Sequence, residues 1–142
     1  MKILRFASAT WKGPVPTGSG VMNLGRGGLE IPYSLKSRVE DGHGTNPEEL
    51  IGAAHAGCFS MALTSLIEES GKPVGEITTS ARVTLQERSD GFWITEVHLI
   101  TRGMNQVITN EEFVALATRA KETCPVSKLY SSATITLDAA LA

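Results

Sequence analysis

The chain has 142 residues, 42% of them apolar and 20% charged, with a mean hydropathy near zero. That length fits one domain around one core, and that balance excludes a disordered or membrane-embedded chain. Thirteen basic and fifteen acidic side chains give a formal charge of −2 with the basic residues scattered, so the phosphate-neutralising surface of a nucleic-acid binder is missing.

From Met1 the chain runs to Trp11 with Arg5 inside it and Lys12 after it, which leaves no room for an apolar signal-peptide region of about 7 to 15 residues. The longest apolar stretch, Leu50 to Leu63, contains His55 and Ser60 and is shorter than the ~20 residues that span a bilayer. A cytoplasmic protein without a membrane partner is the expectation. Ten of the fourteen glycines precede Cys58, clustered at Gly18-Ser19-Gly20, Gly25-Arg26-Gly27-Gly28 and Gly42-His43-Gly44. Between them Val21 to Leu24 and Leu29 to Leu35 read as extended segments of a β-meander, with Pro32 favouring an edge strand or bulge because it has no N–H to donate.

Thr45-Asn46-Pro47-Glu48-Glu49 predicts a helix start, with Thr45 as cap, Glu48 completing a capping box and Pro47 tolerated in the first turn. The helix should run to Glu69. Its apolar residues, among them Leu50, Ile51, Ala53, Ala54, Phe59, Met61 and Leu66, go all round the cylinder, the pattern of a helix covered on most sides. Gly52 with Ala56 and Ala53 with Gly57 make small faces that a close neighbour should use. A hairpin follows, Ile77 to Glu87 and Phe92 to Arg102, turning at Ser89-Asp90-Gly91, with Ala81, Val83 and Leu85 facing inward. Thr109 or Asn110 caps a helix that stops near Thr123, Cys124-Pro125 restarts a short one, and Ala133 to Leu137 forms a last strand. The chain is read as a single domain over 1–142.

Two cysteines are too few for a secreted disulfide framework; in a reducing compartment such a pair is inert, metal-bound or redox-active. Cys58, in mid-helix among apolar residues, reads by itself as a small buried hydrophobe. Cys124 sits where a helix begins, a position that favours the thiolate, so local physics nominates it as the more reactive. His55 lies one turn before Cys58, suited to a Cys-His nucleophile, half a metal site or a core residue with one hydrogen-bond partner. Zinc needs three or four ligands, and His43, His98 and Cys124 are dispersed, so no metal is expected. By themselves Arg38 reads as a loop cation and Glu48 as a cap.

The run Gly44-Thr45-Asn46-Pro47-Glu48-Glu49-Leu50-Ile51-Gly52-Ala53-Ala54-His55-Ala56-Gly57-Cys58-Phe59-Ser60-Met61-Ala62 resembles the signature of the osmotically inducible protein C and organic hydroperoxide resistance family. Cys124-Pro125-Val126-Ser127 resembles its second cysteine motif. The resemblance covers essentially the whole chain and implies an α+β fold and an intertwined homodimer whose central helices are flanked by antiparallel β-sheets. It also implies thiol-dependent peroxidase activity, with Cys58 the attacking thiolate and Cys124 the resolving thiol. The hydroperoxide resistance branch places its arginine in the early glycine-rich loop, where this chain has Thr17-Gly18-Ser19-Gly20; Arg38 in Ser37-Arg38-Val39-Glu40 matches the osmotically inducible branch instead. Arg26 is offset from that motif and reads as a solvated turn residue.

Under this resemblance Arg38 would stabilise the Cys58 thiolate and the departing oxygen, and Glu48 would hold the guanidinium bidentately. A Cys58 sulfenic acid would condense with Cys124, sparing it from over-oxidation. Phe59, Met61 and their neighbours would supply an apolar surround for an organic hydroperoxide. The resemblance suggests no bound cofactor and an external dithiol such as dihydrolipoamide or a lipoylated protein. Two other classes compete: a stress-induced dimer binding a small apolar ligand with incidental cysteines, and a Cys-His hydrolase using His55 as base.

Overall fold

Glycine punctuation and alternation in the first fifty residues become three strands and two helix starts. The computed structural model describes all of residues 1–142, in two compact units, Met1–Leu50 and Ile51–Ala142. In the first unit β1 (Ala7–Lys12), β2 (Ser19–Leu24) and β3 (Leu29–Tyr33) form an antiparallel meander in that order. Pro32 lies on β3, an edge strand, where its missing N–H costs no ladder bond. Trp11 and Tyr33 both pair with Gly20 across the sheet, and their rings meet at 5.3 Å between centroids. Any Cβ on Gly20 would strike the Tyr33 ring, so this glycine is the hollow over which the aromatic side chain lies.

Two local expectations are corrected in this unit. The extended segment ends at Tyr33 rather than Leu35, because Ser34 caps a short helix, α1 (Leu35–Val39): the Ser34 and Ser37 hydroxyls each accept the other's backbone N–H. The cap of α2 (Pro47–Glu69) is Asn46, not Thr45. Its Oδ1 accepts the Glu49 N–H at 2.8 Å while its Nδ2 donates to the Ser37 carbonyl. With Pro47 at the first helical position the third is Glu49, so Glu48 takes no part in a capping box and its carboxylate is free for another partner.

The second unit packs three helical segments on a three-stranded sheet. The hairpin of β4 (Glu76–Arg88) and β5 (Gly91–Met104) turns through Ser89-Asp90, with Gly91 at φ +122°, and a bulge falls between Thr84 and Leu85. After it come α3 (Asn110–Thr123), capped by Thr109 and Glu112, then α4 (Pro125–Leu129) and β6 (Thr134–Leu141). β6 lies parallel to β5, so the antiparallel expectation holds for the meander and for β4–β5 but this sheet is mixed. The helical stretch between β5 and β6 supplies the crossover that a parallel pair requires.

Phe59, Leu63, Leu66 and Ile67 of α2 pack with Val97 and Leu99 of β5 and with Phe113, Ala117 and Ala120 of α3 to make the core. Truncating a side chain buried as fully as Phe59 costs about 3–5 kcal/mol. α2 has the length and apolarity to cross a bilayer, yet this face is a core face. Its other side is uncovered: Ala53, Ala54 and Gly57 are exposed, and Met61 is 76% exposed. Gly52 meets the close neighbour expected of it, Val83 of β4, whereas nothing approaches Gly57.

Candidate active site

The first unit holds the ion pair that the sequence nominated. α1 presents Arg38 in its last turn and α2 presents Glu48 in its first, and the two meet as a fork on a carboxylate. Arg38 Nη2 donates to Glu48 Oε1 at 2.7 Å, and Nε donates to Oε1 and Oε2 at 3.2 Å each. Glu48 is nearly buried while the Arg38 side chain is 41% exposed, so the carboxylate is fixed and the cation keeps an open side. The two-point geometry locks the guanidinium plane, which a lysine ammonium could not match.

Arg38 also lines an apolar cleft of about 270 Å³ with Trp11, Val15, Tyr33, Leu35 and Pro47. The sequence offers Phe59, Met61 and their neighbours as an apolar surround, and this cleft is additional to them; Phe59 is sealed in the core, whereas Met61 stands on the uncovered face of α2. The signal available was the pair of aromatic residues flanking Gly20, but only the strand register brings Trp11 and Tyr33 together. Arg26 is a surface turn residue, its guanidinium 4.9 Å from the centre of the Phe6 ring.

The two cysteines lie in the second unit. Cys58 projects from the middle of α2, and Cys124 occupies the junction where α3 ends and α4 begins. Their sulfurs are 2.8 Å apart, both cysteines are free, Cys124 is fully buried and Cys58 is partly accessible. Burial pushes the Cys58 thiol up, the adjoining Cys124 pushes it the same way, and a hydrogen bond from the Val126 backbone opposes both. In these surroundings Cys58 is thus a reluctant thiolate.

His55, one turn before Cys58, makes no hydrogen bond to either sulfur. Its Nε2 is 2.7 Å from Ser127 Oγ, its Nδ1 has no partner, and its ring stands at 89° to Tyr130. Burial lowers its pKa and holds it neutral. This is the core residue with one partner that the sequence allowed, and it is not placed as a base for Cys58. His43 is exposed, and His98 Nδ1 is paired with Thr136 Oγ1.

Comparison with known proteins places the chain in a family. The family model described as OsmC-like protein matches residues 40–138. Peroxiredoxin OsmC of Escherichia coli (strain K12) is 41% identical over 139 residues, 97% of this chain and 96% of that protein. An organic hydroperoxide resistance protein of Xanthomonas axonopodis pv. citri (strain 306) is 33% identical over 66% of this chain and 61% of that protein. Among solved structures, the organic hydroperoxide resistance protein of Elizabethkingia anophelis superposes with a TM-score of 0.75 at 28% identity, covering 100% of both chains. An OsmC protein from Legionella pneumophila shares the fold, with a TM-score of 0.77 at 23% identity over 98% of this chain and 99% of that one. The chain therefore belongs to the OsmC-like protein family.

Proposed function

We propose that this protein is a thiol-dependent peroxidase of oxidative and osmotic stress defence, reducing organic hydroperoxides to alcohols and hydrogen peroxide less efficiently. The observation that carries the reading is the 2.8 Å approach of two free thiols from distant parts of the sequence. Relatives that bear the names peroxiredoxin and organic hydroperoxide resistance protein support hydroperoxide chemistry in general; the residue roles below are our own assignment.

Cys58, as thiolate, attacks one peroxide oxygen. A sulfur–oxygen bond forms, the oxygen–oxygen bond breaks, and the alkoxide leaves and takes up a proton; Cys58 is oxidised to a sulfenic acid and the peroxide is reduced. Cys124 then attacks the Cys58 sulfur, the sulfur–sulfur bond forms and water leaves. An external dithiol, dihydrolipoamide or a lipoylated protein, restores both thiols by exchange, and no bound cofactor takes part. Free thiols of this kind suit the reducing cytoplasm.

Arg38 supplies the cation that Cys58 needs, lowering its pKa and stabilising charge on the departing oxygen, and Glu48 fixes the guanidinium. The apolar cleft beside Arg38 suits the organic group of a hydroperoxide. Glu48 and Cys58 are ten positions apart on one helix, roughly 15 Å at the usual rise. An arginine bonded to its own chain's Glu48 therefore serves the Cys58 of the partner subunit in an antiparallel homodimer, which would also cover the open face of α2.

Anaerobic mixing of the reduced protein with cumene hydroperoxide tests the reading. One peroxide consumed per two thiols, with an intramolecular Cys58–Cys124 disulfide as product, is the expected result. No consumption of peroxide removes the peroxidase assignment and returns the choice to a ligand-binding dimer or a hydrolase.

A further inference from the structure

Cys124 sits between α3, whose Ala120 carbonyl accepts its N–H, and the much shorter α4. Its five residues fall far below the ~12–15 that make an isolated helix stable, so its position must come from tertiary contacts. Only one of those five side chains is buried, and it is a polar one, Ser127, 4% exposed. Ser127 Oγ lies 2.7 Å from Nε2 of His55, which is itself fully buried. Tyr130, capping the C-terminal end of α4, sets its ring perpendicular to the same imidazole at 5.4 Å between centroids.

The spacing gives this pair its meaning. His55 is three residues before Cys58 on α2, and Ser127 is three residues after Cys124. The hydrogen bond thus joins the same two stretches of chain as the sulfurs do, one helical turn away on each side.

An apolar anchor at position 127 would hold α4 near α2 but would tolerate sliding and rotation, because apolar contact is non-directional. A buried hydrogen bond weakens steeply with angle and distance, and separating its partners leaves both unsatisfied. Since His55 Nδ1 has no partner, the imidazole has no second bond to fall back on. Sulfur–sulfur bond formation depends on placement at this scale, where a misplacement of about 1 Å can cost ~10²-fold in rate.

We infer that His55 and Ser127 form a positioning pair that fixes α4 in the register bringing Cys124 Sγ onto Cys58 Sγ, and so governs the resolving step. In that step the sulfur–sulfur bond forms, the Cys58 sulfur–oxygen bond breaks and water leaves. The inference rests on the peroxidase reading for its biological consequence, while the approach of the two sulfurs can be measured without it.

The test uses the full-length protein carrying Ser127→Ala, His55→Leu or His55→Gln, the last retaining an amide at the reach of Nε2. Each variant is mixed with cumene hydroperoxide, and peroxide loss and disulfide formation are followed separately, with mass spectrometry of Cys58. Ser127→Ala and His55→Leu should slow disulfide formation at least tenfold more than they slow the first peroxide consumption, and should accumulate Cys58 sulfinic acid. His55→Gln should recover much of the resolving rate. Diamide, which oxidises a dithiol without peroxide chemistry, should show the same order of variants. If wild type consumes no peroxide, the peroxidase reading fails while the diamide series still decides the positioning role. Disulfide formation at the wild-type rate in Ser127→Ala or His55→Leu, or equal loss of both steps without rescue by His55→Gln, overturns the inference. Should Ser127→Ala not fold, the His55→Leu and His55→Gln pair decides.

Discussion

Cys58 and Cys124 stand 66 positions apart in the chain and 2.8 Å apart at their sulfurs, with one thiol partly accessible and the other fully buried. On the proposed peroxidase reading, the partly accessible residue is the attacking one and the buried residue the resolving one.

This asymmetry orders the two single mutants. Cys58→Ser should abolish peroxide reduction, whereas Cys124→Ser should allow one oxidation and then stall, with Cys58 driven on to sulfinic acid. Peroxide loss in the first turnover, with the mass of the Cys58 peptide, checks both. Equal first-turnover rates for wild type and Cys58→Ser would remove Cys58 from its role.

Because burial and Cys124 both push the Cys58 thiol up, the activating cation should be visible in a pH profile. On the proposed role of Arg38, its removal should raise the Cys58 pKa further and so lower the thiolate fraction at neutral pH. Arg38→Ala should cut the first-turnover rate by roughly 10²–10³ at pH 7 and regain part of it at high pH. Arg38→Lys should recover little, since an ammonium cannot reproduce the fork on Glu48. Stopped-flow oxidation rates across pH decide this, and a profile unmoved in Arg38→Ala would exclude the assigned role.

The separation of Glu48 from Cys58 along α2 predicts that each site draws on two chains. Cys58→Ser and Arg38→Ala homodimers should each be inactive, and mixing them with subunit exchange should restore activity up to about half of the wild-type level per active heterodimer. Exchange demonstrated by tagged subunits without recovered activity would require Arg38 to act within its own chain.

The open face at Ala53, Gly57 and Met61 predicts coupled folding and association. The melting temperature should fall on dilution, and Met61→Asp should shift the protein towards monomer and lower its Tm. Sedimentation of a folded wild-type monomer at micromolar concentration would contradict the coupling.

His55 carries a pH dependence of stability. Burial lowers its pKa in the folded state, so above about 6.5 both states are neutral and the group has no effect on stability. As the pH falls below that value the unfolded chain binds a proton that the folded chain does not, and the folded state loses stability until its own lower pKa is reached. Between pH 7.5 and 5.5 the wild-type Tm should therefore drop more than that of His55→Gln, measured by calorimetry.

Much of the architecture was settled by interactions within a few residues of each other. The long apolar run after Pro47, the alternation of Ala81, Val83 and Leu85, the turn at Ser89-Asp90 and the Cys124-Pro125 restart all depend on local periodicity and backbone chemistry, and each formed where the sequence put it. The resemblance of two cysteine motifs brought the family with it. The cap turned on a one-residue shift of the helix start: with Pro47 first, Asn46 caps the helix, and the Ser37 carbonyl on another helix accepts its amide N–H. The resemblance already implied that Cys58 meets Cys124 and Arg38 meets Glu48; the tertiary structure decided the other meetings, since nothing around His55 announces Ser127 across 72 positions and Trp11 meets Tyr33 only through the register of three strands. The reason is physical. Periodicity and capping act over one or two turns of chain, whereas the placement of a sulfur, a hydroxyl or an aromatic ring against a partner from another element is set by how whole elements pack, and only the folded core fixes that.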